Sequence, residues 1–396
     1  MPDMPDMDDR TIIAWMTQDE RPALSVLFGR RFEIKPGGAC VEAEPFVLQT
    51  ELEYYPEAQL GPRPGYIRPS LLKRDIDLYA FRERTDLVIQ GSVRNPRKLR
   101  DLRVDLTVRG AAVRFAQSIH VTGDRWIERG PAGLRLSEPE PFDEMPLRYD
   151  KAYGGTDEMA LAADPDRDEN RMIYDTVGEE EDREISEYSY PRNPAGKGYV
   201  IDPESAPGTP WPNLELSDES LRLSAISAPL NAWSARPYPA GFDWFPHAWF
   251  PRSAFFGEMP ATTDGQIPKA ELKLGILPAD LRKQSLLARP KLPFAQGAHP
   301  RLWQHRLLGD EQIQILSLGQ GGAPLELTLP KLAPLVDLRL PGQRAIRLPT
   351  ELDLVFITAE DRRVTLLWRA THRLEPNTLG PDWEAQTSYT IGWRSQ

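Results

Sequence analysis

The chain has 396 residues, a net charge of −11, 39 prolines and a single cysteine, Cys40. The acidic charge argues against nucleic-acid binding as the main role, because phosphate recognition needs a basic surface. One cysteine excludes an internal disulfide and a cysteine-based zinc site, and it is typical of a reducing cytoplasm, where we expect the protein to be located. Because no run of about 18 apolar residues occurs, we expect no membrane insertion.

The prolines are spread along the whole chain at about twice their usual share. A proline inside a helix breaks it, so this distribution favours short strands joined by rigid loops. The sequence therefore predicts a mainly β fold of antiparallel sheets, arranged as a sandwich or an open, barrel-like structure. Long Pro/Gly-rich ordered loops and few short helices complete this prediction.

The composition divides the chain into four parts. Residues 1–22 predict a flexible N-terminus and no signal peptide, because their acidic start has no apolar run. Residues 23–155 predict a β-rich N-terminal domain, and residues 156–235 predict an irregular acidic and Pro/Gly-rich middle region. Residues 236–396 predict a β-rich C-terminal domain packed on the first.

Alternation of apolar and polar residues predicts the individual strands. The strictest alternation, Leu102–Val108, stands between two further predicted strands, so this region predicts an antiparallel meander. A proline at its start makes residues 278–287 the best candidate for a short helix. The other predicted strands are 43–48, 75–80, 85–93 and 113–122, with two hairpins formed by 313–318 and 325–329 and by 352–358 and 363–370.

The sequence contains only incomplete matches to motifs for catalysis or cofactor binding. Gly196–Lys197 and Gly319–Gly322 begin like phosphate-binding loops, but the residues around them do not match. The acids of Asp164–Asp168 resemble a calcium loop whose turn glycine is replaced by Glu169, which favours a solvated acidic loop. We therefore expect no catalytic residue, no metal site and no cofactor.

Two stretches combine aromatic or charged side chains with residues that fix the backbone. Residues 141–155 run from Pro141–Phe142 to Gly154–Gly155 and predict a shaped junction between the β meander and the irregular middle region. Residues 241–252 concentrate tryptophan and phenylalanine between prolines. This second stretch is either a plug of the core or a patch that binds a partner.

Several short motifs occur in a fixed order along most of the chain. Their members are Gly123, Asp124, Arg125, Trp126, Gly154, Gly155, Asn193, Pro194, Gly196, Gly198, Pro212, Asn213, Glu215, Trp368 and Arg369. As an ordered set over roughly residues 20–370, they resemble a bacterial domain-of-unknown-function family. Members of that family are encoded beside genes for type VI secretion spikes and PAAR-like effectors.

The resemblance implies an adaptor or chaperone without catalytic activity. Such a protein would hold an effector and help to load it onto the secretion spike, with the effector and the VgrG/PAAR-like spike proteins as its partners. The candidate residues for partner contact are Arg148, Tyr153, Trp244, Trp249 and Arg252. Arginine and tryptophan are typical anchors of protein interfaces.

Two alternatives remain open at this stage. The first is a hydrolase whose carboxylate-based active site contains Asp124, Glu144 and Glu215. Two carboxylates that face one cleft would support it, whereas separate acids in ion pairs would count against it. The second alternative is a structural component of the secretion particle.

Overall fold

A computed structural model describes residues 9–16, 21–55, 71–79, 81–157, 159–160, 190, 192–201, 203–226, 237–245, 296–304, 306–318, 320–375, 378–380 and 382–393. Strands dominate these residues. In the first half of the chain they are β1 (Arg10–Met16), β2 (Pro22–Ile34), β3 (Cys40–Glu42), β4 (Glu53–Tyr54), β5 (Leu72–Arg74), β6 (Thr85–Gln90), β7 (Ser92–Arg94), β8 (Asp101–Arg109), β9 (Arg114–Thr122), β10 (Ile127–Gly130), β11 (Gly133–Leu136), β12 (Glu144–Pro146), β13 (Tyr153–Gly154) and β14 (Lys197–Gly198).

The second half continues this pattern with short connections. Its strands are β15 (Leu214–Leu216), β16 (Trp303–Gln304), β17 (Gln312–Ile315), β18 (Leu325–Thr328), β19 (Leu335–Arg339), β20 (Ile346–Pro349), β21 (Glu351–Thr358), β22 (Arg363–Arg373) and β23 (Ser388–Gly392). Among the described residues, the helices with defined bounds are single turns, namely α1 (Leu223–Ile226), α2 (Trp383–Gln386) and three 3₁₀ segments, Tyr149–Lys151, Pro300–Leu302 and Gln320–Gly322. The prediction of a mainly β protein with several antiparallel sheets and few short helices is confirmed.

The largest sheet has seven strands in the order β1-β2-β22-β21-β6-β16, and β3 pairs with β2 as the seventh. All of its pairs are antiparallel except β6 with β21. Strands β2 and β22 hold long runs of buried residues, as expected for strands covered on both faces. The predicted hairpin that ends at Ala370 is confirmed as β21 and β22.

A second sheet has five strands in the order β15-β9-β8-β17-β18. Val104, Leu106 and Val108 of β8 are fully buried, while the residues between them are partly exposed. The alternation of β8 therefore predicted both the strand and its inner face correctly. The hairpin of β17 and β18 is confirmed as well.

Both sheets combine strands from the two β-rich regions, 23–155 and 236–396, that the sequence predicted as separate domains. Strands β6 and β21 pair in the larger sheet, and β8 pairs with β17 in the smaller one. One hydrophobic cluster joins buried residues of both sheets, such as Leu87, Val104 and Leu366. In the described residues, the two regions thus build common sheets around a common core.

Two strand predictions are wrong. A buried carboxylate makes the contact near these segments, in place of the backbone hydrogen bonds of a strand pair. Residues 43–48 and 75–79 do not form strands. Asp77 is fully buried, and its carboxylate accepts a hydrogen bond from the Gln49 amide at 2.9 Å. The Asp77 amide donates to the Gln49 carbonyl at 2.8 Å, so Asp77 binds both backbone groups of Gln49, the residue that follows segment 43–48.

Other differences concern boundaries. Arg10–Met16, placed by the sequence in the flexible start, forms β1 on the edge of the larger sheet. The expected single strand 85–93 is divided at Gly91 into β6 and β7, and β7 pairs with β12 in a separate sheet. The predicted helix 278–287 and the acidic loop 164–169 lie outside the described residues. No helix in the described ranges is long and apolar enough to cross a membrane.

Candidate functional site at the motif junction

Four of the sequence motifs meet in one place, which we call the motif junction: residues 123–126, 152–155, 193–198 and 211–215. Their backbones pair directly. The Lys197 amide donates to the Ala152 carbonyl at 3.0 Å, and the Trp211 amide donates to the Arg125 carbonyl at 2.8 Å. Strands β13 and β14 pair in parallel, and β15 extends the five-stranded sheet beside β9. The ordered motif set therefore describes one structural unit.

Glycines of the motif junction allow backbones to approach closely. Gly155 has a φ of +92°, and a Cβ added there would lie 2.5 Å from the Gly196 carbonyl oxygen. Gly123 adjoins another segment, because an added Cβ would lie 1.8 Å from the Glu140 carbonyl oxygen. A side chain at either position requires the backbone to move, which explains why these motifs contain glycine.

Two buried asparagines hold the motif junction together through backbone carbonyls. The Asn193 amide group donates to the carbonyls of Tyr149 at 2.8 Å and Tyr153 at 2.9 Å. The amide group of Asn213 donates to the Thr122 carbonyl at 2.9 Å and to the Asp124 carboxylate at 3.1 Å. Because buried carbonyls need donors, both side chains stabilise their loops from within.

A buried ion pair lies beneath these loops. The carboxylate of Glu215 is 4% exposed, and it accepts hydrogen bonds from the guanidinium of Arg125 and from the indole of Trp211, the latter at 2.9 Å. The Leu221 amide donates to the other carboxylate oxygen at 3.1 Å. Glu215 thus has three donors and no open face towards a substrate.

A partly exposed ion pair forms the surface of the motif junction. The Lys197 ammonium lies 3.2 Å from the Asp124 carboxylate, with side-chain exposures of 18% and 56%. Burial lowers the pKa of Lys197, and Asp124 opposes this only in part. Burial acts to raise the pKa of Asp124, but the hydrogen bond from Asn213 and the charge of Lys197 outweigh it, so the net direction is down.

The three acids of the hydrolase alternative are each bound to a basic side chain. Asp124 pairs with Lys197, Glu215 with Arg125, and Glu144 of β12 with Arg94 of β7. Acids held in separate ion pairs count against the pair of carboxylates facing one cleft that a glycosidase uses. No group of acids, histidines and cysteine that could hold a metal ion occurs in the described part of the chain.

A second polar centre joins the 237–245 segment to strand β6. The buried carboxylate of Asp243 accepts hydrogen bonds from the Tyr55 hydroxyl at 2.8 Å, the Trp244 amide at 2.8 Å and the Gln90 side chain at 3.2 Å. Burial raises the pKa of Asp243 to about 7, although these donors and the charge of Arg148 act to lower it. The aromatic pattern of residues 241–252 does not indicate this centre, because Tyr55 and Gln90 lie far from Asp243 along the chain.

The candidate residues for partner contact have different positions. Arg148 is partly exposed, lies 3.1–3.2 Å from the Asp150 carboxylate, and stacks over the Tyr55 ring at 4.5 Å. Tyr153 and Trp244 are both 1% exposed, so their side chains pack in the interior and offer a partner no surface. Within the described residues, the aromatic stretch therefore acts as the core plug. Trp249 and Arg252 lie outside the described residues.

The last two motif residues stabilise the larger sheet. Trp368 is 2% exposed and stacks on Phe28 with ring centroids 6.1 Å apart. The Arg369 guanidinium binds the buried Asp353 carboxylate through two bonds of 2.8 and 3.0 Å. Because both partners are buried, this bidentate pair fixes β21 against β22.

Comparisons with known proteins place the chain in a family. No curated protein and no solved structure matches it. A family model described as "Uncharacterized protein conserved in bacteria (DUF2169)" matches residues 19–369, which include every motif of the junction and the Trp368–Arg369 pair. The chain belongs to this bacterial family of uncharacterized proteins.

Proposed function

We propose that the protein is a non-enzymatic adaptor or chaperone that binds a type VI secretion effector and helps to load it onto the VgrG/PAAR-like spike. The observation that carries the proposal is the use of the motif residues. The side-chain hydrogen bonds of these residues, Asn193, Asn213 and Glu215, are made with the protein's own backbone and side chains. The motifs therefore maintain a shape, which is what a binding scaffold needs.

The resemblance in the ordered motif set supplies the secretion context of this proposal. The ion pairs of Asp124, Glu144 and Glu215 supply its second support, because acids held in separate ion pairs count against a carboxylate-based active site. The proposed location is the cytoplasm, where an effector would be held before it is loaded.

Co-expression with the effector encoded beside the gene tests the binding step. We expect the effector to be soluble and to co-purify with the tagged adaptor in a defined ratio. The control is the destabilised variant Gly155→Val, which should capture less effector because a side chain at this position meets the Gly196 carbonyl. An effector that is soluble alone and never co-purifies would contradict the proposal.

A further inference from the structure

Strand β1 forms one end of the seven-stranded sheet. It pairs with β2 along its whole length, from Arg10 opposite Phe28 to Met16 opposite Pro22. On its other side, β1 pairs with no strand in the part of the chain that the structure describes. An edge of this kind presents backbone N–H and C=O groups to its surroundings.

Two hydrogen bonds determine which backbone groups of β1 point outward. The Gly29 amide donates to the Asp9 carbonyl at 3.2 Å, so odd-numbered residues of β2 face β1. The Leu374 amide donates to the Pro22 carbonyl at 2.8 Å, so even-numbered residues of β2 face β22. By the antiparallel register, Ile12 and Ala14 direct their N–H and C=O groups away from β2. Among the described residues, these groups of Ile12 and Ala14 have no backbone partner.

The side chains along this edge are apolar on both faces of the sheet. Ile12 and Ile13, which point to opposite faces, both pack against the hydrophobic core. Trp15 stacks on Phe81 with ring centroids 5.2 Å apart, and its indole donates to the Ser25 hydroxyl at 2.9 Å. A strand added beside β1 would therefore find apolar neighbours on both of its faces.

Within residues 11–16, β1 also lacks the residue types that keep edge strands apart. Residues 11–16 read TIIAWM and contain no charge, no proline and no glycine. Natural proteins usually protect an exposed edge with such residues, with a bulge or with a covering segment. The unprotected sequence favours pairing with another chain.

We propose that the outer edge of β1 is a strand-addition site, where an extended apolar segment of a partner protein pairs with Ile12 and Ala14. Main-chain hydrogen bonds would hold the segment, and its alternate side chains would lie beside the apolar residues on either face. A second copy of this chain is the less suitable occupant, because two copies would each bring a net charge of −11. Only the identity of the partner as an effector rests on the proposed function.

One substitution tests the edge without disturbing the pairing with β2. Ala14→Pro removes an outward N–H group and leaves the hydrogen bonds to β2 intact. Edge strands tolerate proline at such positions, where the N–H group points away from the sheet. We expect Ala14→Pro to fold with an unchanged melting temperature and to bind the neighbouring effector about tenfold or more weakly. Ala14→Thr, which keeps the N–H group and favours a strand, is the matched control and should bind normally.

Amide hydrogen exchange supplies a readout at the proposed atoms. In the free protein, the amides of Ile12 and Ala14 should exchange fast and that of Ile13 slowly, because only Ile13 donates towards β2. Addition of a blocked seven-residue peptide of alternating valine and threonine should slow the exchange of Ile12 and Ala14. The same peptide with methylated alternate amides should have no effect. Slow exchange of Ile12 and Ala14 in the free protein, or fast exchange with the peptide present, would overturn the proposal.

The two probes separate the strand-addition site from the adaptor function. Effector binding that survives in Ala14→Pro, together with fast exchange of Ile12 and Ala14 in the complex of the wild-type protein, would refute the edge and leave the adaptor intact. Protection by the valine–threonine peptide without any effector binding would support the edge and refute the adaptor.

Discussion

The Tyr55 hydroxyl donates a 2.8 Å hydrogen bond to the buried carboxylate of Asp243, 188 residues further along the chain. Gln90 on β6 donates to both groups and to the Lys73 carbonyl. This network therefore connects the β4–β5 pair, strand β6 and the aromatic segment 237–245. It holds together parts that no local sequence pattern relates.

The first prediction concerns the pH dependence of this network. The pKa of Asp243 is about 7 in the folded chain against an ordinary value of 3.8, so the folded state holds the proton more tightly. This contribution to stability is complete below about pH 4 and is lost as the pH rises through 7. The full effect is on the order of 4 kcal/mol. In Asp243→Asn, the free energy of unfolding should lack this decrease.

Urea unfolding of both proteins between pH 4 and 8 measures the difference. Because other groups titrate as well, the quantity to follow is the gap between wild type and variant, which should move in favour of Asp243→Asn as the pH rises. Parallel pH profiles for the two proteins would show that Asp243 does not titrate in this range.

The second prediction concerns the close approach at Gly155. Gly155→Val should destabilise the fold by about 3 kcal/mol or more, because the added Cβ meets the Gly196 carbonyl and the φ of +92° disfavours a β-branched residue. Gly208→Val is the matched control, since Gly208 has the same φ of +92° but no atom within 4 Å of an added Cβ. The control should lose only about 1–2 kcal/mol. Equal losses in thermal unfolding would mean that φ alone matters.

The third prediction compares two ion pairs near β15. Glu215→Gln leaves the Arg125 guanidinium without its carboxylate in a buried place, so we expect a loss of about 3–5 kcal/mol. Asp218→Asn disrupts a pair with Arg301 in which the carboxylate is 67% exposed, and it should lose at most about 1 kcal/mol. Chemical denaturation of the two variants should separate them clearly. A small loss in Glu215→Gln would show that water enters beneath the motif junction.

The fourth prediction distinguishes surface from scaffold at the motif junction. Asp124→Asn removes the charge that faces Lys197 while keeping the shape, and since Asp124 is 56% exposed the stability should change by less than about 1 kcal/mol. If this face contacts the partner, effector binding should weaken in Asp124→Asn while the melting temperature stays constant. The double-mutant cycle with Lys197→Met measures the coupling of the pair. Unchanged binding would restrict the motif junction to a folding role.

Sequence reasoning succeeded where the pattern is local. The alternation of Leu102–Val108 identified both β8 and its buried face, because period-two burial comes from the strand itself. It failed at 43–48, which alternates in the same way but forms no strand; Gln49, the next residue, bonds to the Asp77 amide and carboxylate. It also overlooked β1, because the acidic residues before it suggested a flexible start.

The candidate site was predicted only in part, because many of its contacts join residues far apart in the sequence. The ordered motifs indicated a family resemblance, and the structure brings four of them together. Their roles depend on partners far along the chain, such as Arg125 with Glu215 and Tyr55 with Asp243, which spacing does not reveal. The burial of Tyr153 and Trp244 is equally a result of tertiary packing, since an aromatic residue in a loop suits both a core and an interface.

Secretion in a strain that lacks this gene tests the adaptor proposal most directly. The neighbouring effector should be insoluble or degraded in the deletion strain and absent from the secreted fraction, while an unrelated cargo of the same apparatus is still secreted. Restoring the wild-type gene should restore both solubility and secretion. A soluble effector that is secreted at normal levels without this protein would contradict the proposal.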